Sequence, residues 1–356
     1  MHRITSLATL SLTLFLASCD EQPASTAMLD DAFVRPALDQ LSESAAIARK
    51  ARVSEISYVL NIDLVSLEDA YQGSVTTRFD LTDRDQALQI DFSGGSVDSV
   101  IVNGETLQPD YNGFFVSLPE TALQEGTNEV TIAYSHPYGQ DGTGLHRFVD
   151  PQDGKTYLYT YLWPYYSNRL FPNFDQPNLK ATYELTVRAA NDWQVVSSTI
   201  EDSVVDDGET RIWHFPQSEK FSSYIFSLHA GPYKIWEDMA GSVPIRLMAR
   251  QSLADYVAVQ EWMEYTKSGL EHYQDYFDIP YPFAKYDQLI VPDFLIGAME
   301  NVAAVTFSES YVDRGASNRF NSQRRAGTIL HEMAHMWFGD LVTMNWWNGL
   351  WLNESF

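Results

Sequence analysis

Residues 57–65 read SYVLNIDLV and residues 74–81 read SVTTRFDL, and in both the apolar and polar side chains alternate. Alternation at period two sends successive side chains to opposite faces of an extended strand, one face toward a core and one toward water. Working outward, QALQIDF (86–92), VDSVIVNG (97–104), NGFFVSL (112–118), EVTIAYS (129–135), TYLYTYLW (156–163), ATYELTVR (181–188) and WQVVSST (193–199) continue the pattern. Gly, Asn, Asp and Pro clusters punctuate these segments at hairpin spacing. The run predicts an all-β sandwich or saddle that ends near Tyr233, and no internal repeat interrupts it.

Beyond about Pro244 the pattern becomes helical. Apolar residues recur at helical spacing from Asp255 to Phe277, and Ile279-Pro280-Tyr281-Pro282 stops the helix. YDQLIVPDF (286–294) reads as a buried strand, and FLIGAMENVAAVTFSE (294–309) as a turn into an edge strand. A further helix, capped by Asn321 or Ser322, runs through Gln323, Leu330 and Phe338 to an end near Gly339. The fold class is therefore multidomain α+β. A β-rich unit over 51–240 precedes an α/β unit over 241–356, with the boundary between about 235 and 245.

Toward the amino terminus, residues 1–19 read as a leader: Arg3 gives a basic start, and Leu7 to Ala17 form an apolar run too short to span a bilayer. Leu16-Ala17-Ser18-Cys19 resembles the lipobox of bacterial lipoproteins, a resemblance that implies lipidation of Cys19 and a membrane anchor. Cys19 is the only cysteine, so an intrachain disulfide is excluded. The location expected is the bacterial cell envelope, facing the periplasm, with Asp20 resembling an inner-membrane retention signal. Residues 20–50 are polar and read as a tether, with a short helix over Ala37 to Arg52.

A chain of 356 residues with 45% hydrophobic and 13% aromatic content has ample apolar surface for large cores. Its net charge of −25, from 23 basic and 48 acidic side chains, argues against nucleic acid as a partner. The acidity fits a solvated surface, or a cleft that attracts the cationic amino terminus of a peptide.

His331-Glu332-Met333-Ala334-His335 lies in the last predicted long helix. Histidines at i and i+4 share one helix face, so both imidazoles reach one metal ion, and the residue types point to zinc. Glu332 points to the same side and serves as general base for a water that zinc acidifies. Two histidines satisfied inside a core are the alternative for this motif alone. Glu354 follows His335 after 18 intervening residues, in GLWLNESF, which reads as another helix. A carboxylate there completes a His331–His335–Glu354 set and leaves a fourth position open, as catalytic zinc requires.

Three stretches resemble the aminopeptidase N-like family of zinc metallopeptidases, of the gluzincin clan. They are HEMAHMWFGDLVTMNWWNGLWLNESF (331–356), Gly297-Ala298-Met299-Glu300-Asn301, and FPNFDQPNLKATYELTV (171–187). The resemblance runs from about residue 55 to the end. It implies a β-rich amino-terminal domain followed by the start of a thermolysin-like catalytic domain, one zinc ion, and peptide substrates with a free amino terminus. In GAMEN, a glycine at 297 permits close approach of another backbone, and an edge strand offers a row of groups on which a peptide adds as a further strand. The resemblance implies that Glu300 pairs with the substrate's α-ammonium. Where relatives carry TQFEP, this chain has Thr160-Tyr161-Leu162-Trp163-Pro164, so Tyr161 and Trp163 replace two polar residues. Gly349 and Ser355 also stand where relatives often have Asp and Gly. Relatives continue past the third ligand with helices and a tyrosine that stabilises the oxyanion, so a truncated record is expected at Phe356. A thermolysin-type endopeptidase, and a fragment without activity, are the alternative readings.

Overall fold

The computed structural model describes residues 35–66, 70–316 and 318–355. Cys19, Asp20, the leader and the first part of the expected tether lie outside them. Helix α1 (Glu43–Arg52) has Ser42 as its cap, the hydroxyl accepting from the Ala45 amide at 3.2 Å, and Arg49, Lys50 and Arg52 fill its last turn. Acid-free carboxyl-end turns rich in cations suit the helix dipole. The helix then runs straight into the strand Val53–Asp63.

The expected tether is corrected here, because the chain is packed from Arg35 onward. Arg35 and Arg49 are both 7% exposed and both pair with Asp91, which is fully buried. Arg49 also donates to Gln176 Oε1 at 2.6 Å. Burial alone would raise the pKa of Asp91, but the two guanidiniums outweigh it and hold the carboxyl below its ordinary value. A segment that is polar by composition is thus anchored by two cations whose partner lies far off in sequence.

The strands Ser203–Asp207, Thr210–Phe215, Ala181–Ala190, Val53–Asp63, Ala70–Leu81, Gly126–Pro137, Ser96–Val102 and Glu105–Leu107 form, in that order, one large sheet. All its pairings are antiparallel except Val53–Asp63 against Ala181–Ala190, where Ile56 faces Ala181 and Asp63 faces Arg188. The alternation seen in SYVLNIDLV is physical: Tyr58, Leu60 and Ile62 are buried, while Val59 and Asn61 face solvent. A second sheet joins Gln194–Val196, His229–Gly231, Thr156–Tyr161 and Gly144–Val149. It packs on the first through Tyr157, Leu158, Tyr159 and Val195.

A third sheet has the order Lys234–Ala240, Val243–Ala249, Tyr286–Val291, Ala304–Ser308, Ala298–Met299. Its first hairpin begins at Lys234, so residues 234–240 pair with the later sheet rather than with the β-rich unit. The strand Tyr286–Val291 is buried at every position and runs parallel to both neighbours; its buried Asp287 pairs with Arg246 and Lys285, and its buried Gln288 accepts from Trp262 and donates to Thr266. Helix α2 (Val259–Phe277), preceded by a 3-10 turn over Gln251–Tyr256, and helix α3 (Arg319–Ala334) cover this sheet. Trp262, Leu270, Ile329 and Met333 fill the space between helices and strands. Asp278, with φ of 53°, ends α2 in the left-handed conformation ahead of the two prolines. Met248, Leu289, Val291, Met299 and Ala304 belong to the same apolar cluster as the first two sheets. The described residues from Arg35 onward therefore form one compact unit.

Candidate metal centre

Helix α3 starts one turn earlier than the sequence suggests. Asn318, in extended backbone, accepts from the Asn321 amide at 3.0 Å, so Asn318 and not Asn321 or Ser322 is the cap. The helix ends at Ala334. His335 follows with φ −60° and ψ −25°, still helical in geometry, and so His331 and His335 keep the one-turn relation that places both rings on one side.

Their Nε2 atoms lie 3.1 Å apart, and Glu354 Oε2 lies 3.5 Å from His331 Nε2 and 3.9 Å from His335 Nε2. Glu354 sits on helix α4 (Trp351–Glu354), which is a single turn after a 3-10 turn over Trp347–Gly349, shorter than the GLWLNESF stretch predicts. Tetrahedral zinc with ligand distances of about 2.0–2.1 Å puts neighbouring donors roughly 3.3 Å apart. The three donors surround one point at separations near that spacing, with Glu354 to His335 the longest at 3.9 Å. His335 Nδ1 lies 3.0 Å from the Phe338 carbonyl, which can only accept, so Nδ1 carries the proton and Nε2 presents its lone pair. The hydrogen bond to Glu354 raises the pKa of His331 against the opposing effect of burial, and the same bond holds Glu354 below its ordinary value. The set thus draws positive charge to the point where the three donors converge. These residues fit a zinc ion.

Glu332 is 5% exposed, and burial first, then the nearby carboxylates of Glu300 and Glu354, push its pKa well above the carboxylate range. Glu300, Glu332 and His335 bring ligand atoms within 4.8 Å of one another, so the GAMEN carboxylate abuts the histidine pair. The strand Ala298–Met299 is last in its sheet, as expected of an edge, and pairs antiparallel with Ala304–Ser308. Met299 anchors it in the core at 2% exposure, while Ala298 is half-buried. Gly297 does admit a close neighbour, but a side chain: a Cβ there would sit 2.7 Å from the Tyr311 hydroxyl. Its carbonyl accepts from the Ser308 amide at 2.9 Å. Asn301 is buried and donates to Thr306 Oγ1 at 2.9 Å, which folds the strand pair back on itself beyond Glu300.

Tyr161 and Trp163 stand beside this site. Tyr161 packs edge-on against Phe294, and Trp163 against Trp347. Burial, then Tyr166, then the charge of Glu300 push the Tyr161 hydroxyl up to about 12, so it stays a neutral hydrogen-bonding group. Other neighbours escaped the sequence reading. Tyr224, fully buried, has its hydroxyl 3.0 Å from Asn353 Nδ2, next to Glu354. Lys180 reaches from the large sheet to the turn that follows His335. Lys180 lies within a stretch whose resemblance is evident, but a lysine at a strand start carries no signal of its partner.

Two histidines one helical turn apart, a glutamate between them and a second glutamate after 18 residues have the pattern of a gluzincin-type metal site, here beside a β-rich amino-terminal unit. Residues 54–225 match the Peptidase M1 N-terminal domain and residues 261–356 match the Peptidase family M1 domain. The chain belongs to peptidase family M1. It is 40% identical over 324 residues to "Aminopeptidase N" of Streptomyces lividans, covering 89% of this chain and 37% of that relative. It is 34% identical over 212 residues to "Probable aminopeptidase 1" of Sulfurisphaera tokodaii, 59% of this chain and 26% of the relative. To "Aminopeptidase M1" of Arabidopsis thaliana it is 32% identical over 241 residues, 66% of this chain and 27% of the relative. The chain thus spans between 26% and 37% of the length of these curated relatives.

Proposed function

We propose that the protein is a zinc-dependent aminopeptidase that removes the amino-terminal residue of peptides. One observation carries the reading: the buried Glu300 carboxylate shares a 4.8 Å cluster with Glu332 and His335. An ammonium held at Glu300 would lie beside Glu332 and His335, which suits exopeptidase chemistry better than the endopeptidase alternative. His331, His335 and Glu354 would hold zinc, which when bound supplies a Lewis acid that polarises the scissile carbonyl and acidifies water. Glu332 takes the proton from the attacking water and delivers it to the departing amine. Glu300 pairs with the substrate ammonium, and the neutral Tyr161 hydroxyl and Trp163 face complete the wall around it. The peptide backbone would add along Ala298–Met299.

In the intact protein, Glu332→Ala is expected to retain zinc and lose hydrolysis of an aminoacyl reporter; retained turnover would remove Glu332 from this role. Anchoring at the bacterial envelope through a lipidated Cys19 belongs to the same proposal and is supported by the Leu16-Ala17-Ser18-Cys19 pattern. Radiolabelled palmitate incorporated by the wild type and lost in Cys19→Ala is the expected outcome, and label retained in the variant would contradict it.

A further inference from the structure

The turn after the second histidine is tightly closed. The Asp340 amide donates to the His335 carbonyl at 3.0 Å, the Val342 amide to Trp337 at 3.0 Å, and the Gly339 amide to Val342 at 2.7 Å. The Thr343 hydroxyl closes it from the far side by donating to the Gly339 carbonyl. Gly339 has φ of 136°, and a Cβ there would lie 3.3 Å from His335 Nδ1, so only glycine lets the chain fold back this close to the ligand ring. Within that turn sits the Phe338 carbonyl that fixes the His335 ring.

Two carbonyls of the turn, those of Asp340 and Leu341, point away from it, and both accept from Lys180 Nζ, at 2.8 and 3.0 Å. Lys180 directly precedes Ala181–Ala190, an interior strand of the eight-stranded sheet among the described residues. Strands in the middle of a sheet are held on both sides, so the ammonium is delivered from a rigid base. It is also the cation acting on Asp340, whose carboxylate is 1% exposed and has no hydrogen-bond partner among the described residues.

We propose that Lys180 is a positioning residue for the metal centre, in which the β-rich unit clamps the Gly339–Leu341 turn and so orients His335 through the Phe338 carbonyl. The inference rests on His331, His335 and Glu354 holding zinc. Lys180 acts through the turn, by its bonds to the Asp340 and Leu341 carbonyls. The bond from His335 to the Phe338 carbonyl is an outer-shell contact of the sort that typically carries about 10–100-fold in metal affinity, and Lys180 holds the turn that places that carbonyl.

The test is the zinc dissociation constant of the folded protein, measured by competition with a chromogenic chelator. Lys180→Met keeps the chain's length and removes its donors, and is expected to weaken zinc by about 10–100-fold. Lys180→Arg retains two donors and is expected to recover most of the loss. Lys220→Met, which removes an exposed ion pair with Glu55 in the same sheet region, is the control and leaves affinity unchanged. Thr343→Val loosens the same turn from its other side with little change of volume, and weakened zinc is expected there too, so the test survives should Lys180→Met not fold. Wild-type zinc affinity in Lys180→Met or, if that variant is unfolded, in Thr343→Val overturns the proposal while leaving the metal site intact. A wild-type protein that binds no zinc overturns the metal site and this inference together.

Discussion

Replacing Glu300 by Gln preserves shape and removes the charge that is proposed to receive the substrate ammonium. The carboxylate is 6% exposed, so water screens it weakly. Losing one partner of a buried charge pair costs about 2–5 kcal/mol. A loss near 3 kcal/mol corresponds to about 150-fold in kcat/KM for a peptide with a free amino terminus. An acetylated peptide has no ammonium to lose, so its hydrolysis should change little and the preference for the free amine should collapse. A second consequence follows from the cluster. The charge of Glu300 is the larger of the two neighbouring charges that raise the pKa of Glu332, after burial. Removing it lets Glu332 ionise at lower pH, so the acidic limb of the kcat/KM profile should move to lower pH in Glu300→Gln. The assay compares leucyl-p-nitroanilide with its acetylated form across pH for both proteins. A variant that keeps the wild-type preference for the free amine would refute the assignment of Glu300.

Asp91→Ala leaves Arg35 and Arg49 buried without a counter-charge and should cost about 3–5 kcal/mol in urea unfolding, whereas an unchanged midpoint would mean the amino-terminal segment is not anchored there. Gly297→Ala drives a Cβ to within 2.7 Å of the Tyr311 hydroxyl, so the strand carrying Glu300 must shift; kcat/KM should fall by about tenfold or more while zinc content stays at the wild-type level. His229 is fully buried, and burial, aided by Lys285, lowers its pKa to about 3. Its folded pKa lies below the unfolded value near 6.5, so its neutral form supports stability above about pH 6.5, and that support is lost as pH falls. The loss should approach about 2 kcal/mol by about pH 5, and His229→Gln should flatten that slope in denaturation measured across pH.

Elements with a strong period were legible in the sequence. Tyr58, Leu60 and Ile62 alternate with exposed neighbours, and Leu289-Ile290-Val291 is an apolar run inside a buried strand, so there local pattern and burial agree, whereas the burial of Asp287 and Gln288 depends on partners distant in sequence. His331, Glu332 and His335 were legible because a helical turn alone brings them together. Glu354 needed spacing as well, since its helix α4 is one turn long and has too few residues for a periodic signal. Residues 35–50 read as a tether because composition does not reveal that Arg35 and Arg49 converge on Asp91, about forty or more positions away. The hairpin 234–249 joins the third sheet, a membership the sequence does not carry, because a hairpin looks the same whichever sheet it joins. Lys180 and Tyr224 escaped notice because their importance lies in backbone carbonyls and an amide that only the folded chain brings within reach.

The central claim is that His331, His335 and Glu354 converge on one metal ion. Zinc per chain, measured by elemental analysis after dialysis against metal-free buffer, tests it most directly. The account predicts one zinc in the wild type and in Glu332→Ala, and none in His335→Ala. A wild type without zinc, or a His335→Ala variant that keeps it, would contradict the account.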